Sequence, residues 1–178
     1  MVNRLLLTAA STLLRATAPL PKERPMLEYG LEHIFSYYIT VTFPETVGPM
    51  ADGLRLNFYI KGGEITGPKL FGKVRPVGAD WVTIRRDGIA LIDVRAIFET
   101  TDGAVIYVTV DGTADLGENG YEQALAGKPP PSPTRYRVFP RFHTAHPQYA
   151  WLNRLHCLGI GEGDFLRARV VYDVYAVS

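Results

Sequence analysis

Asp93 and Arg95 stand two apart in the run Ile89-Ala90-Leu91-Ile92-Asp93-Val94-Arg95-Ala96-Ile97-Phe98-Glu99. Residues i and i+2 of an extended strand point the same way, roughly 7 Å apart, so the Arg95 guanidinium reaches the Asp93 carboxylate. In an apolar pocket that carboxylate serves as general acid or base while the guanidinium holds a developing oxyanion. The competing reading is a solvated pair outside a sheet. In that case the wholly apolar opposite face, Ala90, Ile92, Val94, Ala96 and Phe98, fills the interior. Asp80 is a second candidate proton carrier, or else a residue that caps or turns the chain before the strand beginning at Trp81. Tyr107, on the face of Val105 and Thr109, can donate a proton inside a pocket, and equally suits a core or edge position.

A second group is suited to holding a ligand. In Pro147-Gln148-Tyr149-Ala150-Trp151-Leu152-Asn153-Arg154, read as extended, Tyr149, Trp151 and Asn153 share one face. Aromatic rings supply contact area and an amide fixes orientation, which suits a ligand wall. The alternative is a core strand in which Asn153 satisfies a backbone group at a bend. Trp81 and Phe142 are further candidates for shaping a cavity and sheltering a developing cation. His143 and His146 are three apart, but Pro147 and the lack of a helical pattern deny them a shared face, so no metal site is expected. Cys157, the single cysteine, excludes an internal disulfide and reads as a small buried residue rather than a nucleophile. Gly159-Ile160-Gly161-Glu162-Gly163 lacks the spacing of a dinucleotide-binding loop and reads as a turn between two strands. No cofactor is expected.

The 178 residues carry 19 Lys+Arg against 18 Asp+Glu, a net charge of +1 that argues against a nucleic-acid footprint. The balance is uneven. Residues 1–25 hold Arg4, Arg15, Lys22 and Arg24 against Glu23, so a slightly basic appendage precedes a mildly acidic body at 26–178. Leu5-Leu6-Leu7-Thr8-Ala9-Ala10 and Ala16-Thr17-Ala18 outline a secretory signal, but Arg15 interrupts the apolar stretch and Pro19 follows the cut. A short amphipathic helix through Leu5, Ala9, Leu13 and Ala16 is the other reading. The run is too short and polar to span a bilayer, so the expected location is cytoplasmic, without a membrane partner, with secretion as the alternative.

These side chains need strands to position them. The 17 Gly and 13 Pro beside 10 Tyr and 8 Phe suit many short strands with hard turns. Leu31, His33, Phe35, Tyr37, Ile39, Val41 and Phe43 alternate along one strand ended by Pro44. Leu54, Leu56, Phe58 and Ile60 alternate along the next, closed by Gly62-Gly63. Further strands are expected near 64–67, 69–75, 81–86, 89–99, 104–111, 135–143, 150–159 and 166–177, with Asp87-Gly88 and Asp102-Gly103 as hairpin turns. Only 118–126 reads as helix, stopped by Gly127 and the prolines that follow. The expected fold is all-β: a single antiparallel closed barrel of about 8–10 strands, since closure hides every edge, with a sandwich as the competing architecture. An eight-stranded barrel either fills with side chains or holds one small ligand.

The stretch Gly62-Gly63-Glu64-Ile65-Thr66-Gly67-Pro68-Lys69-Leu70-Phe71-Gly72, then Gly78-Ala79-Asp80-Trp81, resembles the domain of unknown function 3237 family. Arg86-Asp87-Gly88, Leu91 to Arg95, Asp102 to Tyr107, Arg141-Phe142-His143-Thr144 and Tyr149 to Arg154 extend the likeness over about 28–177. The resemblance implies a small barrel akin to those of allene oxide cyclases and dirigent proteins, a homodimer, and cofactor-free ring closure or isomerisation in natural-product or aromatic-compound pathways. It brings no agreed catalytic set. It favours lumenal positions for Asp93, Arg95, Trp151 and Asn153, which lie inside the shared motifs. The function this supports is a cofactor-independent cyclase or isomerase acting on a small, hydrophobic, oxygen-bearing substrate. Asp93 or Asp80 would move the proton, Arg95 would stabilise negative charge and Tyr107 would donate. The alternatives are a lipocalin-like carrier of such molecules and a barrel filled by its own side chains.

Overall fold

The computed structural model describes residues 25–130 and 132–178. The helix and signal readings of the N-terminal appendage therefore fall outside the described residues. Nine strands follow in chain order: β1 (Leu31–Val41), β2 (Glu45–Pro49), β3 (Leu54–Thr66), β4 (Gly72–Ile84), β5 (Ile89–Thr100), β6 (Val105–Asp115), β7 (Thr134–His143), β8 (His156–Asp164) and β9 (Arg169–Val177). Helix α1 (Gly120–Leu125) lies between β6 and β7, and a 3₁₀ helix (Pro147–Arg154) between β7 and β8.

All pairings are antiparallel, in the order β1-β9-β8-β7-β6-β5-β4-β3, and β3 returns to β1 to close an eight-stranded barrel. The remaining strand, β2, adds to the outside of β3 along Leu54–Asn57. Asp87-Gly88 and Asp102-Gly103 do make the β4–β5 and β5–β6 hairpins, with Gly88 and Gly103 at φ 82° and 87°. No helix among the described residues is long and apolar enough to cross a membrane.

Closure gives every strand an inner and an outer face, and the period-two pattern decides which is which. Ala90, Ile92, Val94, Ala96 and Phe98 of β5 are all buried in the interior, as are Ile106, Val108 and Val110 of β6. The lower half of the barrel is filled by aromatic rings. Phe35 meets Phe98 and Phe142 edge to face, and Phe98 and Phe142 are tilted to one another, at 5.4–6.4 Å between centroids. One layer up, Tyr37 stacks on Tyr172 at 5.1 Å, and Tyr136 meets Tyr172 edge-on at 6.0 Å.

Two expectations are corrected here. The 150–159 strand is instead a 3₁₀ helix followed by β8, because Pro147 starts a helical turn and Asn153 closes it against Thr144. The Gly159–Gly163 stretch is not a turn but the middle of β8, with Gly159, Gly161 and Gly163 all facing inward. A β-carbon at Gly161 would stand 2.4 Å from the Tyr172 ring, and one at Gly163 would stand 2.9 Å from the Tyr136 ring. The glycines are the space into which the tyrosines fold.

Replacing Gly161 with alanine is expected to lower the unfolding free energy by about 1–3 kcal/mol, the cost of overpacking a well-filled interior. Urea denaturation of the variant beside the parent protein measures it.

Candidate active site

Above the tyrosine layer the inward side chains are short, and the lumen is hollow. A cavity of about 440 Å³ remains, walled by Ile39, Leu56, Phe58, Val82 and Ile92. Its mouth is bordered by Phe43, Phe165 and Leu166 and by Gln123, Ala124 and Lys128 of the α1 region. Arg86 lies over the Tyr121 ring at 5.3 Å, holding α1 to the barrel.

Among the described residues, one carboxylate faces this cavity. β4 carries an irregularity between Val74 and Gly78, around Pro76, where the ladder to β5 slips. Gly78, at φ 98°, passes so close to β5 that a β-carbon would stand 2.0 Å from the Arg95 carbonyl oxygen. Two residues on, Asp80 sits inward beside Phe58 of β3 and Val94 of β5. Its Oδ1 accepts a hydrogen bond from the backbone N–H of Asp93 at 3.1 Å, the carboxyl's one hydrogen bond among the described residues. Burial raises its pKa from the ordinary 3.8 to about 7. The Asp93 N–H opposes that rise, and the negative charge of Asp93 adds to it. At neutral pH the group therefore exchanges readily between acid and base.

Tyr136 and Tyr172 line the cavity floor, and Tyr37 stacks on Tyr172 behind them. Tyr37, Tyr136 and Tyr172 are each more than nine-tenths buried, and none of their hydroxyls has a hydrogen-bond partner among the described residues. Burial, reinforced by the charge of Asp80, holds all three well above the ordinary phenol range, so they remain O–H donors.

The other expected site residues are placed elsewhere. Asp93 and Arg95 do pair with each other, but on the outer wall, with side chains 46 and 40% exposed. The expectation that they face the lumen is corrected, because the apolar face of β5 is the one the closed sheet turns inward. Trp81, opposite Asn57 on β3, and Tyr107, 43% exposed beside His143, also face outward. Phe142 is inward, but in the aromatic plug at the far end from the cavity. Tyr149, Trp151 and Asn153 ride on the 3₁₀ helix. The Tyr149 hydroxyl donates to Asp102 at 3.0 Å, and Asn153 brackets Thr144 through its N–H and C=O. Of the expected catalytic residues, Asp80 alone reaches the cavity. The tyrosine layer went unread because alternation tells inside from outside but not depth along the barrel. The signal that could have found it is the inward glycine row of β8.

A groove of about 490 Å³ runs along the outer wall beside Ser36, Glu64, Glu162, Arg169 and Asp173. There the Ser36 hydroxyl donates to Asp173 at 2.6 Å while His33 Nε2 lies 3.0 Å from Ser36 Oγ. The serine proton is thus directed at a carboxylate rather than at a histidine base, which is not the arrangement that activates a nucleophile. Burial pushes the Cys157 thiol up to about 11, away from reactivity. Among the described residues no group of three or more His, Cys, Asp or Glu side chains is arranged to hold a metal ion.

Comparison with known proteins matches residues 29–177 to the family described as protein of unknown function (DUF3237). A UPF0311 protein of Rhodopseudomonas palustris (strain TIE-1) is 34% identical over 154 residues, covering 86% of this chain and 98% of that protein. A β-barrel-like protein of Acinetobacter baumannii AYE superposes with a TM-score of 0.73 at 29% identity, over 88% of this chain and all of the other. An enzyme from Penicillium herquei shares the fold, with a TM-score of 0.65 at 23% identity over 89% of this chain and all of its own.

The raised pKa of Asp80 fixes a sign for stability. The folded protein keeps that proton up to about pH 7, whereas the unfolded chain releases it near 3.8, so the folded state holds more protons in between. The Asp80 contribution is therefore most favourable below pH 4 and is lost as pH rises to about 7, at up to ~1.4 kcal/mol per pH unit. Asp80→Asn lacks this loss. Its stability relative to the parent is expected to improve steadily from pH 4 to 7 and to stay level above that, as read by urea unfolding across the range.

Proposed function

The chain belongs to the DUF3237 family of small barrels, and from that premise we propose that its lumen takes up a hydrophobic, oxygen-bearing small molecule on which Asp80 performs a cofactor-independent isomerisation or ring closure. The observation that carries this reading is a lone carboxyl group, poised near neutrality, facing an apolar cavity. Buried carboxylates are costly, and a barrel that merely needed filling would be better served by leucine. A group that is half protonated at working pH can take a proton from one atom and return it to another, the requirement of general acid–base catalysis. Isomerisation and ring closure by proton transfer conserve the composition of the substrate, so a proton carrier and a shaped cavity suffice. The walls hold a flexible substrate folded toward its reactive shape, which itself lowers the barrier. A cavity of this size lies within the usual range for small-molecule sites.

A carrier of such molecules is the second reading, favoured by how apolar the walls are. It needs the cavity but has no use for a proton-exchanging carboxyl group.

Incubating the protein with a panel of apolar ketones and unsaturated phenols, followed by chromatography of the products, separates the two. On any substrate found, Asp80→Asn is expected to lower kcat/KM by about 10²–10⁴-fold while changing ligand affinity only a few-fold. The parent's kcat/KM should show an inflection near pH 7. Full turnover in Asp80→Asn would remove the aspartate as proton carrier. Binding across the panel without turnover would leave the carrier.

A further inference from the structure

We infer that the floor of the cavity is a donor site for the oxygen of an uncharged, enolisable ketone, held by the hydroxyls of Tyr136 and Tyr172 with the carboxyl of Asp80 beside the adjacent carbon. This rests on the functional reading above and narrows it to a substrate class.

Three observations carry it. The first is donor supply. Tyr136 and Tyr172 line the cavity, both rings are buried, and neither hydroxyl has an acceptor among the described residues. Neither hydroxyl is fully enclosed: each stays accessible in a residue that lines the cavity, with its proton available to an entering ligand oxygen. Tyr37, stacked on Tyr172, backs them.

The second is preorganisation. The inward glycines of β8 let the two rings lie against the wall, and the Tyr136 hydroxyl is 3.2 Å from where a β-carbon of Gly163 would stand. The rings cannot swing aside without leaving that recess, so the donors are fixed before a ligand arrives.

The third is charge. Among the described residues lining the cavity, Asp80 is the one acid and Lys128, at the mouth, the one base. A substrate bearing a carboxylate or phosphate would meet Asp80 with no cation at the floor to offset it. A carbonyl oxygen accepts from the tyrosines without that penalty, and hydrocarbon fits the Ile39, Leu56 and Val82 walls.

The chemistry then closes without a co-reactant. Ionised Asp80 takes a proton from the carbon next to the carbonyl. The electrons of that C–H bond become a C=C bond, and the carbonyl π pair moves onto oxygen, where the two O–H donors hold it. Where the ketone carries a C=C bond one carbon further along, the intermediate is a dienolate, and protonated Asp80 returns the same proton to its far carbon. The carbonyl re-forms, a double bond has moved, and the composition is unchanged.

A phenolate imitates the enolate in shape and charge, which makes 4-nitrophenol a direct probe, with 4-nitrotoluene as its counterpart lacking the oxygen. Affinities are measured at pH 8 for the parent, Tyr136→Phe, Tyr172→Phe and Asp80→Asn, reading bound nitrophenolate by its absorbance and nitrotoluene by equilibrium dialysis. Each phenylalanine variant keeps its ring, and is expected to bind 4-nitrophenol about tenfold more weakly with nitrotoluene unchanged. Asp80→Asn is expected to bind 4-nitrophenolate more tightly, because a like charge is gone. Undiminished 4-nitrophenol binding in both phenylalanine variants would overturn the donor site, and so would an equal loss for the two probes, which would mean that the rings only shape the wall. In either case nitrotoluene still entering the parent would leave the cavity reading standing. Failure of both probes to bind the parent would sink that reading as well.

Discussion

A closed eight-stranded barrel has to deal with its own interior. Every second residue of every strand points inward, and the summed volume of those side chains decides whether the lumen is solid or hollow. This chain does both. Phenylalanines fill the lower half with mutually packed rings, whereas branched aliphatics and alanines leave the upper half open. The boundary is the tyrosine layer, and the groups capable of chemistry are gathered there. They have apolar rings beneath them and an apolar chamber above.

That placement settles the electrostatics. A carboxyl at the boundary loses most of its hydration, and a single backbone N–H from the neighbouring strand replaces little of it. Asp80 consequently titrates near neutrality, while Asp93, one strand away on the outer wall, faces solvent and an arginine. The difference between the two aspartates is not their chemistry but which side of a one-residue-thick wall they occupy. The ladder slip around Pro76 and the close passage of Gly78 bring β4 to that wall in the register that turns Asp80 inward.

The architecture was legible because closure and alternation are local rules repeated along the chain. The hairpins at Asp87-Gly88 and Asp102-Gly103 and the apolar face of β5 all read directly from spacing. That same apolar face already argued that Asp93 and Arg95 were outside, and the shared motif around them pulled the reading the wrong way. Asp80 was legible as a candidate, but its burial depends on two neighbouring strands that spacing alone does not bring together. The stretch from Tyr149 to Asn153 alternated like a strand, yet Pro147 and the Asn153–Thr144 bonds make it a 3₁₀ helix. The glycines of β8 misled most, because three glycines in five residues signal a turn unless bulky rings on adjacent strands need the room.

That glycine row has a consequence for how such barrels diversify. Gly161 and Gly163 set how far the floor rings can recline, and thus how deep the chamber is. A methyl group added to one of them would raise the floor without altering any residue that borders the mouth or the upper walls. Chamber depth can therefore drift in evolution separately from the entrance. The length of molecule the chamber can hold would then be governed by positions that carry no functional group.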